Sequence, residues 1–303
     1  MRGFGGSGFE DGEHRLLKDA VENFWHFGKV VRYYATEYRL DYAQSRTPTR
    51  RKLLRGFLGA AERRGWLAEW LSPGATVLDV GCGAGELVFL LRQQQFQAAG
   101  LEPGHEFAEF CRNVLKIDVQ TTTVDRAGVP PQSQSLVTMF HMLEHVTDPL
   151  RTLARIREWL VPGTGRLVVE VPNVLATVQA PRHRFHYAHL YSYSIDTLAG
   201  FGARAGLALV SSRTTEDGGN IVCVFGVRGE QTPPDQQLAA NAERTRTVLS
   251  MHRTAGHYLG PAPYRRLWQK LKRRRQENLL LARFSTIEAL LDWARTLAAS
   301  PGD

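Results

Sequence analysis

Cysteine is scarce in this 303-residue chain. Only three occur, Cys82, Cys111 and Cys223, odd in number and far apart, so neither a disulfide framework nor a CxxC metal site is written here. Reduced thiols packed as small apolar groups are the expectation. Long apolar runs are missing as well: none approaches the roughly 20 residues needed to cross a bilayer. The opening MRGFGGSGFEDGEHR lacks the apolar stretch of a secretory signal, which makes a cytoplasmic location the default expectation. There is no internal repeat. A chain that is 43% hydrophobic, 22% charged and 10% aromatic falls outside the collagen-like, disordered and disulfide-scaffold classes, and its length allows one large domain or two small ones.

Acidic residues are thin where basic ones crowd. The formal net charge is +8, and between Gly229 and Asp303 there are 12 Lys or Arg against 7 Asp or Glu. Most of that surplus lies in Arg265, Arg266, Lys270, Lys272, Arg273, Arg274 and Arg275. Such a run can attract an anionic membrane surface, nucleic acid or a polyanionic glycan, or it can be a solvated helix face. No base-reading motif accompanies it, so specific nucleic-acid binding is not expected.

Along the chain, periodicity predicts an N-terminal helical arm, from His14 to about Tyr42 and again from Thr47 to Leu71, closed by Ser72-Pro73-Gly74. Alternation then begins. Branched apolar runs at Ala75 to Val80, Ala98 to Leu101, Val119 to Val124, Leu136 to Phe140 and Leu167 to Val171 read as buried parallel strands. Between and after them, Glu86 to Gln95, His105 to Leu115, Asp148 to Val161 and Ser194 to Gly206 read as helices. Two more strands fall near Ala208 to Ser212 and Ile221 to Val227. This order predicts an α/β fold, a doubly wound, mainly parallel sheet covered on both faces. The domains expected are an arm over 1–72, a sheet domain over 73–228, and a basic helical extension over 229–303 that begins with the linker GEQTPPDQQ.

The segment Val77-Leu78-Asp79-Val80-Gly81-Cys82-Gly83-Ala84-Gly85 is the most informative. A glycine-rich turn between strand and helix lets backbone amides approach a ligand at the carboxyl edge of such a sheet. The dinucleotide fingerprint fails, because Glu86 stands where its third glycine belongs, and the P-loop fails for want of Gly-Lys-Ser/Thr. An acid, Glu102, closes the second strand, where a ribose-binding carboxylate would be placed.

A second segment, His141-Met142-Leu143-Glu144-His145-Val146-Thr147-Asp148-Pro149, contains H-x-x-E-H. As a zinc-protease motif it would need a helix, whereas here it follows a strand and precedes a helix start at Asp148-Pro149.

Together these residues resemble the class I S-adenosylmethionine-dependent methyltransferases. The D-x-G-x-G-x-G turn is similar to their motif I, and the second segment to the H-x-L-E-H-x-x-D-P strand-four motif of a subfamily with ubiquinone-biosynthesis and glycan-modifying members. Glu170-Val171-Pro172-Asn173 and Phe185 to Ser194, similar to F-x-x-A-H-L-Y-x-F-S, extend the likeness; Gln134-Ser135 departs from it, since most members have Phe-Asp there. The resemblance implies a Rossmann-like seven-stranded fold and S-adenosylmethionine as cofactor. It implies cofactor-binding roles for Asp79, Gly81, Cys82, Gly83, Gly85, Glu102, Pro103, Val124, Asp125, His141 and Leu143, and it implies that Tyr33, Tyr34, Tyr38 and Arg39 form part of a lid.

Methyl transfer to a hydroxyl needs a base, and histidine suits the task. The catalytic candidates are therefore His145 and His189, with Glu144 orienting either one or holding a metal. His183, His186 and His189 could share a helical face as metal ligands, but an aromatic loop lining a substrate pocket is the better reading, and no resident metal is expected.

Three functions stand side by side. The first is O-methylation of a glycan or lipid-linked saccharide; the second, methylation of a small aromatic or quinone-like acceptor. The third is a non-catalytic binding protein that uses the basic tail. An open polar groove would favour the first and a closed apolar pocket the second. Leu279, Leu280, Phe284, Ile287, Leu290, Leu291 and Trp293 give the tail an apolar face, for a homodimer or for packing on the same chain.

Overall fold

A computed structural model describes residues 47–186, 188–227 and 235–299. The expected N-terminal helix, its lid tyrosines and most of the linker lie outside that range. Among the described residues the apolar runs become β1 (Thr76–Val80), β2 (Gln97–Leu101), β3 (Val119–Gln120), β4 (Leu136–Phe140), β5 (Arg166–Pro172), β6 (Leu207–Thr214) and β7 (Asn220–Val227). They form one sheet in the order β3-β2-β1-β4-β5-β7-β6. Strands β1 to β5 pair in parallel, and β7 runs antiparallel to both of its neighbours.

The helices are α1 (Arg50–Leu67), α2 (Glu86–Gln93), α3 (His105–Phe110), α4 (Pro149–Trp159) and α5 (Ile195–Arg204), followed by α6 (Asp235–Met251), α7 (Thr254–Leu259), α8 (Ala262–Leu281) and α9 (Ile287–Ala299). Strand periodicity of two sorts the core into two layers. Val77, Leu136, Val168, Val222 and Val224 face the layer made by α1, α2 and α9, whereas Leu78, Val80, Val137, Met139, Val169 and Phe225 face α4 and α5. The expected Rossmann-like sheet is thus present, with the inner parallel strands β1, β4 and β5 buried on both sides and Gln120 of the edge strand β3 exposed.

Caps explain where helices begin. Asp148 accepts the Arg151 amide with Pro149 in the first turn, and Ser194 and Thr197 form a reciprocal capping box. Two elements are shorter than expected. Strand β3 ends at Gln120, because Thr121 to Thr123 have no apolar face to bury, and the chain passes into a 3-10 turn at Val124–Arg126. Helix α3 stops at Phe110 and widens into a π turn over Cys111–Leu115. Ser135, which replaces the acid usual before strand four, bonds to Thr76 through its amide and hydroxyl and ties β4 to β1.

The apolar face of the tail is used within the chain: Leu290, Leu291, Ala294 and Ala298 of α9 are buried against α1 and α2, and the Ala298 carbonyl accepts a 2.8 Å bond from the Arg64 guanidinium. That face is therefore not left open for a dimer; Leu279, on the other side of α8, stays exposed. No helix among the described residues is long and apolar enough to cross a membrane.

Candidate active site

At the carboxyl edge of β1 the chain turns on three glycines with positive φ, Gly81 (75°), Gly83 (59°) and Gly85 (79°), where an L side chain would be strained. A Cβ on Gly85 would stand 2.5 Å from Ile117 Cδ1 and 2.9 Å from Cys111 Sγ. The turn is therefore seated directly on the chain that follows α3. Glu102 is buried at the end of β2, and its two carboxylate oxygens accept the amides of Gly83 and Gly104, each at 2.9 Å. A buried carboxylate beside a turn whose glycines carry no side chains fits a ligand carrying adjacent hydroxyls.

Asp79 is buried beneath the turn, takes a 2.7 Å bond from the Thr138 hydroxyl, and is pushed up by burial to about 6. The Cys82 thiol is raised well above its ordinary value by its bond with Cys111 and by burial, which makes it a packing group and no nucleophile. Pro103 follows Glu102. Asp125, on the 3-10 turn after Val124, lies exposed at 3.2 Å from Arg151.

Beyond β4 the chain forms the other half of the site. His141 has φ 53°, an unusual backbone for a non-glycine residue. Its amide donates to the Glu170 carbonyl, while its ring lies 3.0 Å from Glu170 Oε1 and 3.4 Å from Glu144 Oε1. Arg63 of α1 clasps Glu170 through two bonds, of 3.0 and 3.2 Å, with its guanidinium 4.3 Å from the centre of the Phe140 ring. Burial opposes charge here, but it is outweighed: the carboxylates of Glu144 and Glu170 lift His141 to about 9, and His141 with Arg63 holds Glu170 down at about 2. The cofactor role expected of His141 concerns its backbone; its side chain, in addition, completes an alternating row of cations and anions. Arg63 is not legible in the sequence, since one arginine on an amphipathic helix carries no signal of the strand it will meet.

Glu144 and His145 sit on a 3-10 turn, Leu143–His145, and His189 reaches them from the loop before α5. The His145 Nδ1 lies 3.0 Å from the Ala188 carbonyl, which fixes Nδ1–H as the donor and turns Nε2 towards Glu144 Oε1 at 3.9 Å. The His145 and His189 rings meet edge to face at 4.8 Å. Burial lowers the pKa of both, His189 to about 4 with help from the neighbouring His145, so both are neutral at pH 7. Neither oxygen of Glu144 has a hydrogen-bond partner although the residue is buried. One ligand atom each from Glu144, His145 and His189 lies within 4.8 Å of the others, a spacing that a divalent cation could span.

His183 is exposed and bonds to Arg182 on a short 3-10 turn, so the three-histidine helical face does not form. Tyr193 is buried and donates to the Leu143 carbonyl. On the same edge, past β5, a groove of about 310 Å³ is lined by Asn173, Thr177, Ser194, Asp196, Asp217 and Arg244 among others. It is open and of mixed polar and apolar lining, with Leu175, Val178, Ile195 and Ile221 beside the polar groups, and it contains none of the three clustered residues.

Residues 50–212 match the model of a methyltransferase domain. The ubiquinone biosynthesis O-methyltransferase of Vibrio atlanticus (strain LGP32) is 36% identical over 96 residues, 30% of this chain and 40% of that protein. The enzyme of the same name from Xanthomonas campestris pv. campestris (strain B100) is 35% identical over 107 residues, 33% of this chain and 44% of that protein. The chain thus spans less than half the length of these curated relatives. Among solved structures, magnesium protoporphyrin IX methyltransferase from Synechocystis PCC 6803, with bound S-adenosylhomocysteine, superposes with a TM-score of 0.50 at 16% identity, over 65% of this chain and 98% of that one.

Proposed function

Because the chain belongs to the methyltransferase-domain family, in a fold class whose cofactor is S-adenosylmethionine, we propose that it is a methyltransferase acting on a hydroxyl of a polar acceptor, a sugar or lipid-linked saccharide. One observation carries the reading: the glycine turn with Glu102 and two neutral histidines share one edge of the sheet. When bound, the cofactor supplies an activated methyl group on a sulfonium. Glu102 would hold its ribose side against the glycine turn of Gly81 to Gly85, whose missing side chains leave room for it, and Pro103, Val124, Asp125 and the backbone at His141 and Leu143 would complete that cradle.

The acceptor hydroxyl must lose its proton as it attacks. His145 Nε2 is the atom that takes it, since Nδ1 is committed to Ala188. Glu144, 3.9 Å from Nε2, stabilises the imidazolium that results. His189 packs on His145 and limits its rotation. The groove past β5 is open and carries Asn173, Asp196, Asp217 and Arg244 among apolar neighbours, which favours a saccharide over a small aromatic acceptor, although the curated relatives carry the name of ubiquinone-biosynthesis enzymes.

The unsatisfied carboxylate of Glu144 favours a second reading, in which Glu144, His145 and His189 hold a divalent cation that polarises the acceptor oxygen. Calorimetry with S-adenosylhomocysteine tests the cofactor reading: micromolar binding is expected, with loss in Glu102→Ala, and its absence in the parent chain sinks the methyltransferase. Titration with Mn²⁺ before and after chelation separates the two roles of His145, since a histidine base needs no metal for methyl transfer.

A further inference from the structure

Helix α8 is held to the body of the protein at its C-terminal end. Glu277 is buried there, gripped by Arg55 through bonds of 2.9 and 2.7 Å, with Arg51 and Arg273 each at 3.8 Å. Upstream of Glu277 the helix stands in solvent. Tyr264, Leu267, Trp268 and Leu271 are 53% to 70% exposed, and Leu259, at the end of α7, is 88% exposed. The spacing i, i+3, i+4, i+7 places those four side chains on one stripe at about 100° per residue. Arg265 and Lys272 border the stripe on one side and Arg274 on the other. No Asp or Glu occurs between Glu243 and Glu277.

Exposed leucines and a tryptophan fenced by cations have two requirements, an apolar phase and an anionic one. We propose that α8 is a docking face for an anionic lipid bilayer, with Tyr264, Leu267, Trp268 and Leu271 entering the headgroup and acyl boundary and the flanking Lys and Arg contacting lipid phosphates. The mixed character of the surface selects this occupant. A polyanion in water would pair with the cations but would leave Leu267 and Leu271 wet. A second copy of α8 would bring seven cations against seven. Residues 1–46 carry seven basic and seven acidic side chains, no net charge with which to answer the helix. Trp and Tyr suit the interface because each joins an apolar ring to a polar atom. The proposal is independent of the acceptor and of the catalytic roles assigned above.

The test is co-flotation of the full chain with vesicles of phosphatidylcholine, with and without 30% phosphatidylglycerol as the anionic probe. Binding is expected only to the anionic vesicles. Each cation near such a surface is worth about 1 kcal/mol, or about fivefold in binding, so Lys270→Gln with Lys272→Gln and Arg274→Gln should weaken it about a hundredfold. Leu267→Glu with Leu271→Glu should weaken it at least tenfold. Leu267 and Leu271 are 55% and 53% exposed and belong to neither core layer, and retained far-ultraviolet dichroism and cofactor binding will show that each variant is folded. Three results would overturn the proposal: no binding by the parent chain, binding unchanged in the leucine variant while the charge variant loses it (a polyanion site), or a dimer in gel filtration that the leucine variant converts to monomer.

Discussion

The Arg63–Glu170–His141 row allows a quantitative test of what holds this edge of the candidate site together. Glu170 is buried, with its ordinary value of 4.5 lowered to about 2. A displacement of about 2.5 pH units at about 1.4 kcal/mol each corresponds to about 3 kcal/mol of stability. Because the folded value is depressed, that contribution is complete above pH 4.5 and is lost as pH falls through 2. His141 acts in the opposite sense: raised to about 9, it stabilises below pH 6.5, and its contribution is lost as pH rises through 9. The row is therefore at full strength between about pH 4.5 and 6.5. Urea unfolding at pH 6 should find Arg63→Met and Glu170→Gln each about 2 kcal/mol less stable, since removing one partner leaves the other charge buried. The double variant should recover part of that loss, with a coupling energy of about 1 to 2 kcal/mol. At pH 3 the penalty of Glu170→Gln should fall to under half. A coupling below about 0.5 kcal/mol, or a penalty that does not change with pH, would refute the assignment and reduce the row to a surface contact.

Other outcomes follow from single positions. Gly85→Ala should lose about 1 to 3 kcal/mol in thermal unfolding, from its φ of 79° and the 2.5 Å approach to Ile117, and should weaken S-adenosylhomocysteine binding along with it. Trp159 is fully buried and its indole N–H has no partner, so Trp159→Phe should cost under about 1.5 kcal/mol while Trp159→Ala costs about 3 to 5; equal losses by chemical denaturation would contradict the packing. If His145 is the base, its lowered pKa keeps it neutral at pH 7. The acid limb of kcat/KM should then lie below pH 6.5, and His145→Ala should reduce kcat about a hundredfold or more; a limb above pH 7 would exclude it.

Local chemistry was enough to specify the sheet and the glycine turn after β1. Branched runs between glycines can only be strands covered on both faces, and three glycines within five residues after β1 are legible because positive φ restricts the residue type. The placement of Glu102 was legible for a related reason, since a strand's end is set by where its apolar run stops. The shortened β3 and the π turn after α3 were not, because both depend on what packs against the chain from Gly85 and from the sheet's edge.

The second half of the site belongs to tertiary structure. His141, Glu144 and His145 stand together in sequence, but Arg63, Glu170 and His189 come from a helix before the sheet, a neighbouring strand and a distant loop. The shifted pKa values of His141, His145, Glu170 and His189 follow from burial and from neighbouring charged groups, quantities that arise only when those elements pack. The basic run before Glu277 was legible as charge in the sequence, while the exposure of Tyr264, Leu267, Trp268 and Leu271 beside it was decided by α9, which takes the place against α1 and α2 and leaves most of α8 in water.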